Sequence, residues 1–217
     1  MYRDNLEKGI LELRGEVVEM SGRAGRAMRG AVDVLSSRDE AAANRLVDAD
    51  EEINTMRYGI EEKCMSIIAT QQPVAGDLRA LLSILEIATE IERIADYAKG
   101  IARISLAIGE KALSHPLVAI PIMAEKVLSM LEDSMKALVS GSEEMAREVA
   151  AQDSAIDLLN ETIQREIMTF VMEDHRGIAE AIRLSWIAHN LERAGDRIVN
   201  ICERISFTAT GELRELD

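Results

Sequence analysis

The sequence predicts an all-α protein built as two tandem three-helix bundles. Apolar residues recur at three- and four-residue spacing almost from end to end, which is the signature of amphipathic helices. The chain of 217 residues has only 3 prolines and 3% aromatic residues. Strands favour branched and aromatic side chains, whereas unbranched ones keep their rotamer freedom in helices. One helical segment occurs twice in the sequence, and this repeat predicts two similar units.

Six long helices follow from the few interruptions of the apolar pattern. We place them at about 3–35, 38–70, 74–112, 117–139, 142–172 and 177–208. The interruptions are Ser36 to Asp39, Gln71-Gln72-Pro73, Ser114-His115-Pro116, Gly141-Ser142 and Glu173 to Gly177. Asp39 is predicted to cap the second helix, and Gly141-Ser142 to end one helix and begin the next.

The third and sixth helices are recognisably the same sequence. Residues 87–101 (IATEIERIADYAKGI) align without gaps on 187–201 (IAHNLERAGDRIVNI). The second and fifth helices also correspond, because 50–54 aligns with 153–157. Short loops make consecutive long helices antiparallel. We therefore predict two up-down-up bundles related by a pseudo-twofold repeat, with domains at 1–112 and 113–217.

The charge of the chain excludes one class of function. Its net charge is −14, with 39 acidic against 25 basic residues, and this repels nucleic-acid phosphates. The apolar run Leu117 to Ala124 is too short to cross a bilayer, and the N-terminal residues lack a signal-peptide core. Cys64 and Cys202 lie far apart, as expected of buried thiols in a reducing cytoplasm. We expect a cytoplasmic protein that does not bind nucleic acid.

Two acidic pairs mark the repeated helices. Glu92 and Asp96 are four residues apart, as are Glu192 and Asp196, so each pair shares one helix face beside the apolar stripe. Like charges one turn apart repel, and more so beside an apolar surface. Something positive is therefore expected to compensate both pairs.

Several compensations are compatible with the residues. Arg93 and Arg193 could pair with the carboxylates. A hard or borderline metal ion could be held by oxygen atoms, with further carboxylates supplied across the bundle. Those candidates are Asp50 in the second helix and Asp153 and Asp157 in the fifth. A proton-transfer enzyme is not favoured, because no nucleophile or glycine-rich substrate loop accompanies the acids. We expect no enzymatic activity.

The acidic segments resemble a known family. Leu191 to Asp196 (LERAGD) followed by Asn200-Ile201 resembles the repeated LERxGD…NI signature of the PhoU family. Ile91 to Asp96 (IERIAD) is similar to it, and is preceded by the D-L-R of 77–79. Two such copies about 100 residues apart in a helical chain are quite specific, and the resemblance covers nearly the whole chain.

The resemblance implies a function. PhoU-like proteins are cytoplasmic pairs of three-helix bundles whose acidic motifs bind multinuclear iron, zinc or other divalent or trivalent metal clusters. They associate peripherally, through protein contacts, with the phosphate-specific ABC transporter and with its sensor histidine kinase. They restrain phosphate uptake and starvation signalling when phosphate is plentiful. By this resemblance Glu92, Asp96, Glu192 and Asp196 are the metal ligands, with Asp50, Asp153 and Asp157 as partners. A homodimer is one oligomeric state left open.

The two copies differ in ways that bear on metal binding. Ala95 stands where the family has glycine, and Asn54 stands where the second copy has Asp157, so we expect the first site to bind metal more weakly. His189 lies on the same side as Glu192 and is either an extra ligand or simply hydrogen-bonded. Trp186 is a candidate contact residue, although we rather expect it to pack between the bundles.

Other functions stay open at this point. One is a PhoU-like accessory protein of a different phosphate permease. Another is a metal-storing bundle of the ferritin type, although that fold needs Glu-x-x-His motifs and this chain has only the reversed order His189-x-x-Glu192. A metal-free helical scaffold is the third.

Overall fold

A computed structural model describes residues 2–109 and 118–216, and within them it confirms the all-α fold, with no strand. The helices are α1 Tyr2–Ser37, α2 Glu40–Gln71, α3 Gly76–Ile108, α4 Ala119–Ser140, α5 Glu143–Ala150, α6 Asp153–Glu173 and α7 Ile178–Thr210, with a 3₁₀ turn at His175–Gly177. The predicted helix end at 112, the break Ser114-His115-Pro116 and the boundary between 112 and 113 lie outside the described residues. None of the described helices is long and apolar enough to span a membrane.

The predicted caps are confirmed. The Asp39 side chain accepts a hydrogen bond of 2.8 Å from the Ala42 amide at the start of α2. Gly141 ends α4 in the left-handed conformation with φ of 65°, which costs glycine nothing. The Ser142 hydroxyl then accepts from the Met145 amide at 3.2 Å, so that α5 begins at once.

The predicted fifth helix is wrong in one detail, because it is divided into α5 and α6. At the division the Gln152 amide donates to the Val149 carbonyl at 3.0 Å, three residues back instead of four. This tight turn interrupts the regular ladder, and α6 starts at Asp153. The division places the Asp153 carboxylate in the first turn of a helix, where the helix dipole favours a negative charge.

α3 and α7 form the centre of the molecule. α3 packs on α1 and α2 of the first unit, α7 packs on α4, α5 and α6 of the second, and the two pack on each other. Their apolar stripes are buried: Ile87, Ile91, Ile94, Ala98 and Ile101 on α3, and Leu184, Ile187, Leu191, Ile198 and Ile201 on α7. All belong to one continuous core.

Polar contacts also join the two units along the contact between α3 and α7. The Glu90 carboxylate accepts from Asn200 Nδ2 at 3.3 Å and pairs with Arg197 Nη1 at 3.4 Å. Both charged side chains are largely covered, with exposed fractions of 16% and 13%. Arg204 pairs with Glu86 further along. The repeated helices therefore meet each other through both their apolar and their charged residues.

Two glycine substitutions are expected to change stability in opposite directions. A Cβ on Gly177, at the turn into α7, would overlap the ring of Phe170, so Gly177→Ala should lower the free energy of unfolding by about 1–3 kcal/mol. Gly59, inside α2, has nothing within 4 Å of its Cβ position. Gly59→Ala should raise the free energy by about 0.5–1 kcal/mol. Urea denaturation measures both free energies of unfolding. Changes in the same direction for the two variants would contradict the expectation.

Candidate functional site

Four carboxylates come together in the second repeat. Asp153 and Asp157 lie one turn apart on α6, and Glu192 and Asp196 lie one turn apart on α7, which packs against it. Burial, and then the charges of Asp157, Asp196 and Glu192, raise the pKa of Asp153 from its ordinary 3.8 to about 6. The structure thus brings together the four residues that the sequence analysis singled out in this repeat.

Gly195 makes room for this cluster. A Cβ at position 195 would lie 2.6 Å from Asp153 Oδ1 and 3.0 Å from Ile156 Cδ1. Real side chains do not tolerate an approach as close as the first, so only glycine lets the Asp153 carboxylate rest against α7 in this way. The absence of a side chain at Gly195 is therefore required for the observed position of the Asp153 carboxylate.

The cluster has unmet hydrogen-bonding capacity. Among the described residues, neither Asp153 Oδ1 nor Glu192 Oε2, both buried, has a hydrogen-bond partner. Burial, then Asp196, raises the pKa of Glu192 above its ordinary value. His189 Nδ1 lies 3.5 Å from Glu192 Oε2, which makes an ion pair only when the imidazole is protonated. Buried carboxylate oxygens without donors are costly, so this arrangement favours a positive ligand.

Arg193 neutralises one member of the cluster. Its Nη1 atom donates to Asp196 Oδ2 at 2.8 Å. The pKa of the Arg193 guanidinium is raised, first by a side-chain hydrogen bond with Tyr97 on α3. Pairing with arginine, one of the compensations left open by the sequence, therefore applies to Asp196 and not to the unpaired oxygen of Asp153.

The first repeat is arranged differently. Asp50 on α2 is only 6% exposed, and it accepts from Lys99 Nζ at 2.6 Å and from Asn54 Nδ2 at 3.2 Å. Lys99 Nζ also lies 3.9 Å from Asp96 Oδ1. The lysine ammonium thus lies between carboxylates of two helices. It supplies there the positive charge that a bound cation would otherwise supply.

Glu92 in the first repeat also has nearby positive charges. Burial raises its pKa above the ordinary value, followed by the charge of Asp96, while Arg57 and, least, Arg93 lower it. In the second repeat the aligned positions carry no charge: Val199 stands for Lys99 and Asn160 for Arg57. The first site therefore has two neutralising charges, Lys99 and Arg57, that the second lacks, although Arg193 pairs with Asp196 in the second.

No cluster is drawn together tightly enough to chelate an ion as it stands. Within residues 2–109 and 118–216, no three His, Cys, Asp or Glu side chains form a group of metal-binding geometry. Carboxylates without a cation repel one another and spread apart. The unpaired oxygens of Asp153 and Glu192 would nevertheless favour a positive charge in the second repeat, whereas Lys99 already supplies one in the first.

Sequence reasoning missed the role of Lys99 and Arg57. Both differ between the aligned copies, and a position-by-position comparison of charge would have revealed them. The expectation that Trp186 packs between the bundles is wrong, because its side chain is 57% exposed. Its ring lies edge-on to that of His189, with 5.7 Å between the ring centroids.

Comparison with known proteins agrees with the repeat. The family model described as "PhoU domain" matches residues 17–105 and again 120–205. A PhoU homolog from Zymomonas mobilis is 34% identical over 92% of this chain and 84% of its own length. The phosphate-specific transport system accessory protein PhoU of Escherichia coli K12 is 32% identical over 92% and 83%.

Solved structures show the same architecture. The chain superposes on the phosphate transport system regulatory protein PhoU from Streptococcus pneumoniae with a TM-score of 0.82 and 29% identity, covering 99% of both chains. PhoU from Pseudomonas aeruginosa gives a TM-score of 0.80 at 29% identity, covering 97% of this chain and 98% of the other. With both repeats matched in sequence and fold, the chain belongs to the PhoU family.

Proposed function

We propose that this protein is an accessory protein of a phosphate-specific transport system and restrains phosphate uptake when phosphate is abundant. The observation that carries the proposal is the match of both repeats to the PhoU domain, together with relatives named as accessory proteins of that system. Two signature helices packed on each other give the chain the long helical faces that a binding protein uses. The role is regulation by binding, without a catalytic step.

The proposed partners are components of the phosphate ABC transporter and its sensor histidine kinase, reached from the cytoplasm. The net charge of −14 supports protein contacts over lipid contacts, because an anionic bilayer surface repels such a chain. The same charge argues against nucleic acid as a partner. Association with the membrane therefore depends on specific contacts with the membrane-bound proteins.

We also propose that the second repeat holds a metal ion, of which iron and zinc are the leading candidates, as a single ion or as part of a cluster. Asp153, Asp157, Glu192 and Asp196 would hold it by their carboxylate oxygens, and its positive charge would relieve their mutual repulsion. The first site, with Asp50, Glu92 and Asp96, would bind metal more weakly because Lys99 already occupies it. A storage or scaffold role without regulation is the alternative.

Loss of the gene should leave cells taking up phosphate when it is plentiful. The physical reason is that a regulator acting by binding controls an existing transporter and supplies no reaction of its own. Phosphate uptake and starvation-gene expression are measured in a deletion strain at high phosphate. Unchanged values for both would reject regulation and favour the scaffold or storage alternative.

Removing the carboxylates of the second repeat should abolish the tighter metal site. The double variant Glu192→Ala and Asp196→Ala is compared with Glu92→Ala and Asp96→Ala, the matched change in the first repeat. We expect the first variant to lose tight binding of Zn²⁺ and the second to keep it, because Lys99 neutralises only the first site. Elemental analysis and calorimetry measure binding, and circular dichroism checks helicity. Equal losses would contradict the assignment.

Asp153 should make the metal-free protein less stable as pH rises. Its pKa is 3.8 ordinarily and about 6 when folded, so the folded state binds its proton more tightly between these values. The contribution of protonated Asp153 to the free energy of unfolding is fully present below pH 3.8. It is lost as pH rises through about 6. Asp153→Asn should therefore stabilise the metal-free protein by about 1–2 kcal/mol near pH 8, after allowance for solvent screening.

Below about pH 3 the same substitution should have little effect, since Asp153 is then mostly protonated in both the folded and the unfolded state. The exposed Asp48, changed to Asn, is the control and should leave stability unchanged at both pH values. Urea denaturation with a chelator present gives the free energies of unfolding. A gain from Asp153→Asn that is the same at both pH values would contradict the pKa argument.

A further inference from the structure

One face of α1 is largely uncovered by the other described helices. Leu11 on this face is 68% exposed, and Gly15 has nothing within 4 Å of its Cβ position. A Cβ on Gly22 would meet only the flexible Arg26 side chain, at 3.5 Å. The partly buried Val18 continues the three- and four-residue spacing of this set, so the set shares one side of the helix. Leu11, Gly15, Val18 and Gly22 are the α1 face.

A groove of about 290 Å³ runs beside the α1 face, between α1 and α4. Val18, Gly22 and Gly25 line it on α1, and Leu128 and Met135 line it on α4. The Cβ position of Gly25 lies only 3.6 Å from Leu128 Cδ2, so α4 packs closely on the backbone of α1 at the floor of the groove. The groove is therefore open to an apolar side chain from another molecule.

Charge is divided between the two halves of α1. Residues 4–19 carry five acidic and two basic side chains, whereas residues 20–32 carry three arginines and no acid. The exposed side chain of Arg26 makes no ion pair or hydrogen bond within the described part of the chain. Two copies of α1 that run antiparallel would therefore set the acidic half of each against the basic half of the other.

The α1 face is symmetric about its midpoint, which makes it complementary to itself. In a twofold-symmetric antiparallel pair of helices, the position numbers of any two facing residues add up to a constant. The register that puts Leu11 of one copy on Gly22 of the other also puts Val18 on Gly15. Each apolar side chain then meets bare backbone, so the two helices can approach closely and interlock. Leu11 enters the groove beside α4 of the other copy.

The same register pairs opposite charges at both ends of the contact. It places Asp4 of one copy opposite Arg29 of the other, about one turn from Arg26. Arg29 pairs with Glu125 of α4 in its own chain, so Arg26 is the guanidinium left for Asp4. By symmetry each of these contacts occurs twice in the pair.

We propose that the α1 face is the interface of a homodimer in which the two copies of α1 pack antiparallel, with Leu11 against Gly22. The contact extends from position 4 to position 29, which is about 38 Å along the helix. The net charge of −14 makes two copies repel each other over most of their surfaces, so the basic half of α1 is where a second acidic copy is attracted. Such a dimer does not depend on the proposed role in phosphate transport.

Sedimentation velocity of the full chain between about 1 and 100 μM tests for the dimer. We expect the wild type to dimerise in this range. Leu11→Gln should weaken dimerisation at least about tenfold, because each dimer loses two leucine contacts. Leu158→Gln on α6 is the matched control, since Leu158 is also well exposed, at 60%, and it should leave dimerisation unchanged. Circular dichroism checks that both variants are folded.

A charge exchange tests the antiparallel register. Arg26→Glu should weaken dimerisation at least about fivefold, and adding Asp4→Lys should restore it to within about threefold of the wild type, because opposite charges then face each other again. A wild type that stays monomeric at about 100 μM would overturn the homodimer. Equal weakening by Leu11→Gln and Leu158→Gln would overturn the α1 face as its interface. A double variant that dimerises no better than Arg26→Glu would overturn the register.

Discussion

The packing of α3 against α7 fixes where every charged residue of the motif can lie. Each of these helices is covered by the other and by the remaining helices of its own unit, so its apolar stripe is buried along its length. Charged side chains are confined to the narrow edges between those contacts. Glu92 and Glu192 therefore stand where water is scarcer than at the open surface, and the cost of their charge has to be offset nearby.

The two repeats offset that cost in different ways. In the first, a lysine from α3 reaches the buried Asp50, and Asn54 donates a second hydrogen bond to it. In the second, the aligned lysine is Val199, a carboxylate replaces the asparagine, and Gly195 lets Asp153 approach the helix backbone. A duplicated fold thus carries one site with added positive charge from Lys99 and one that is left more negative.

The sequence predicted the fold well because its evidence is periodic. Apolar spacing, Asp39 and Gly141-Ser142 are local signals, and each one acts within its own helix or turn. The division at Gln152 was missed because no proline or glycine marks it. The contacts of Lys99 with Asp50 and of Arg193 with Tyr97 join different helices. Such contacts depend on packing, which residue spacing along one chain does not specify, so the carboxylate sets were predictable and their neutralisation was not.

Arg193 connects the negative site to the first repeat. It donates to Asp196 on its own helix, and the neighbouring Tyr97 on α3, the residue after Asp96, raises the pKa of its guanidinium. Glu90, bound by Arg197 and Asn200, makes a second link across the same contact. Charged side chains of the repeated segments therefore join α7 of the second repeat to α3 of the first.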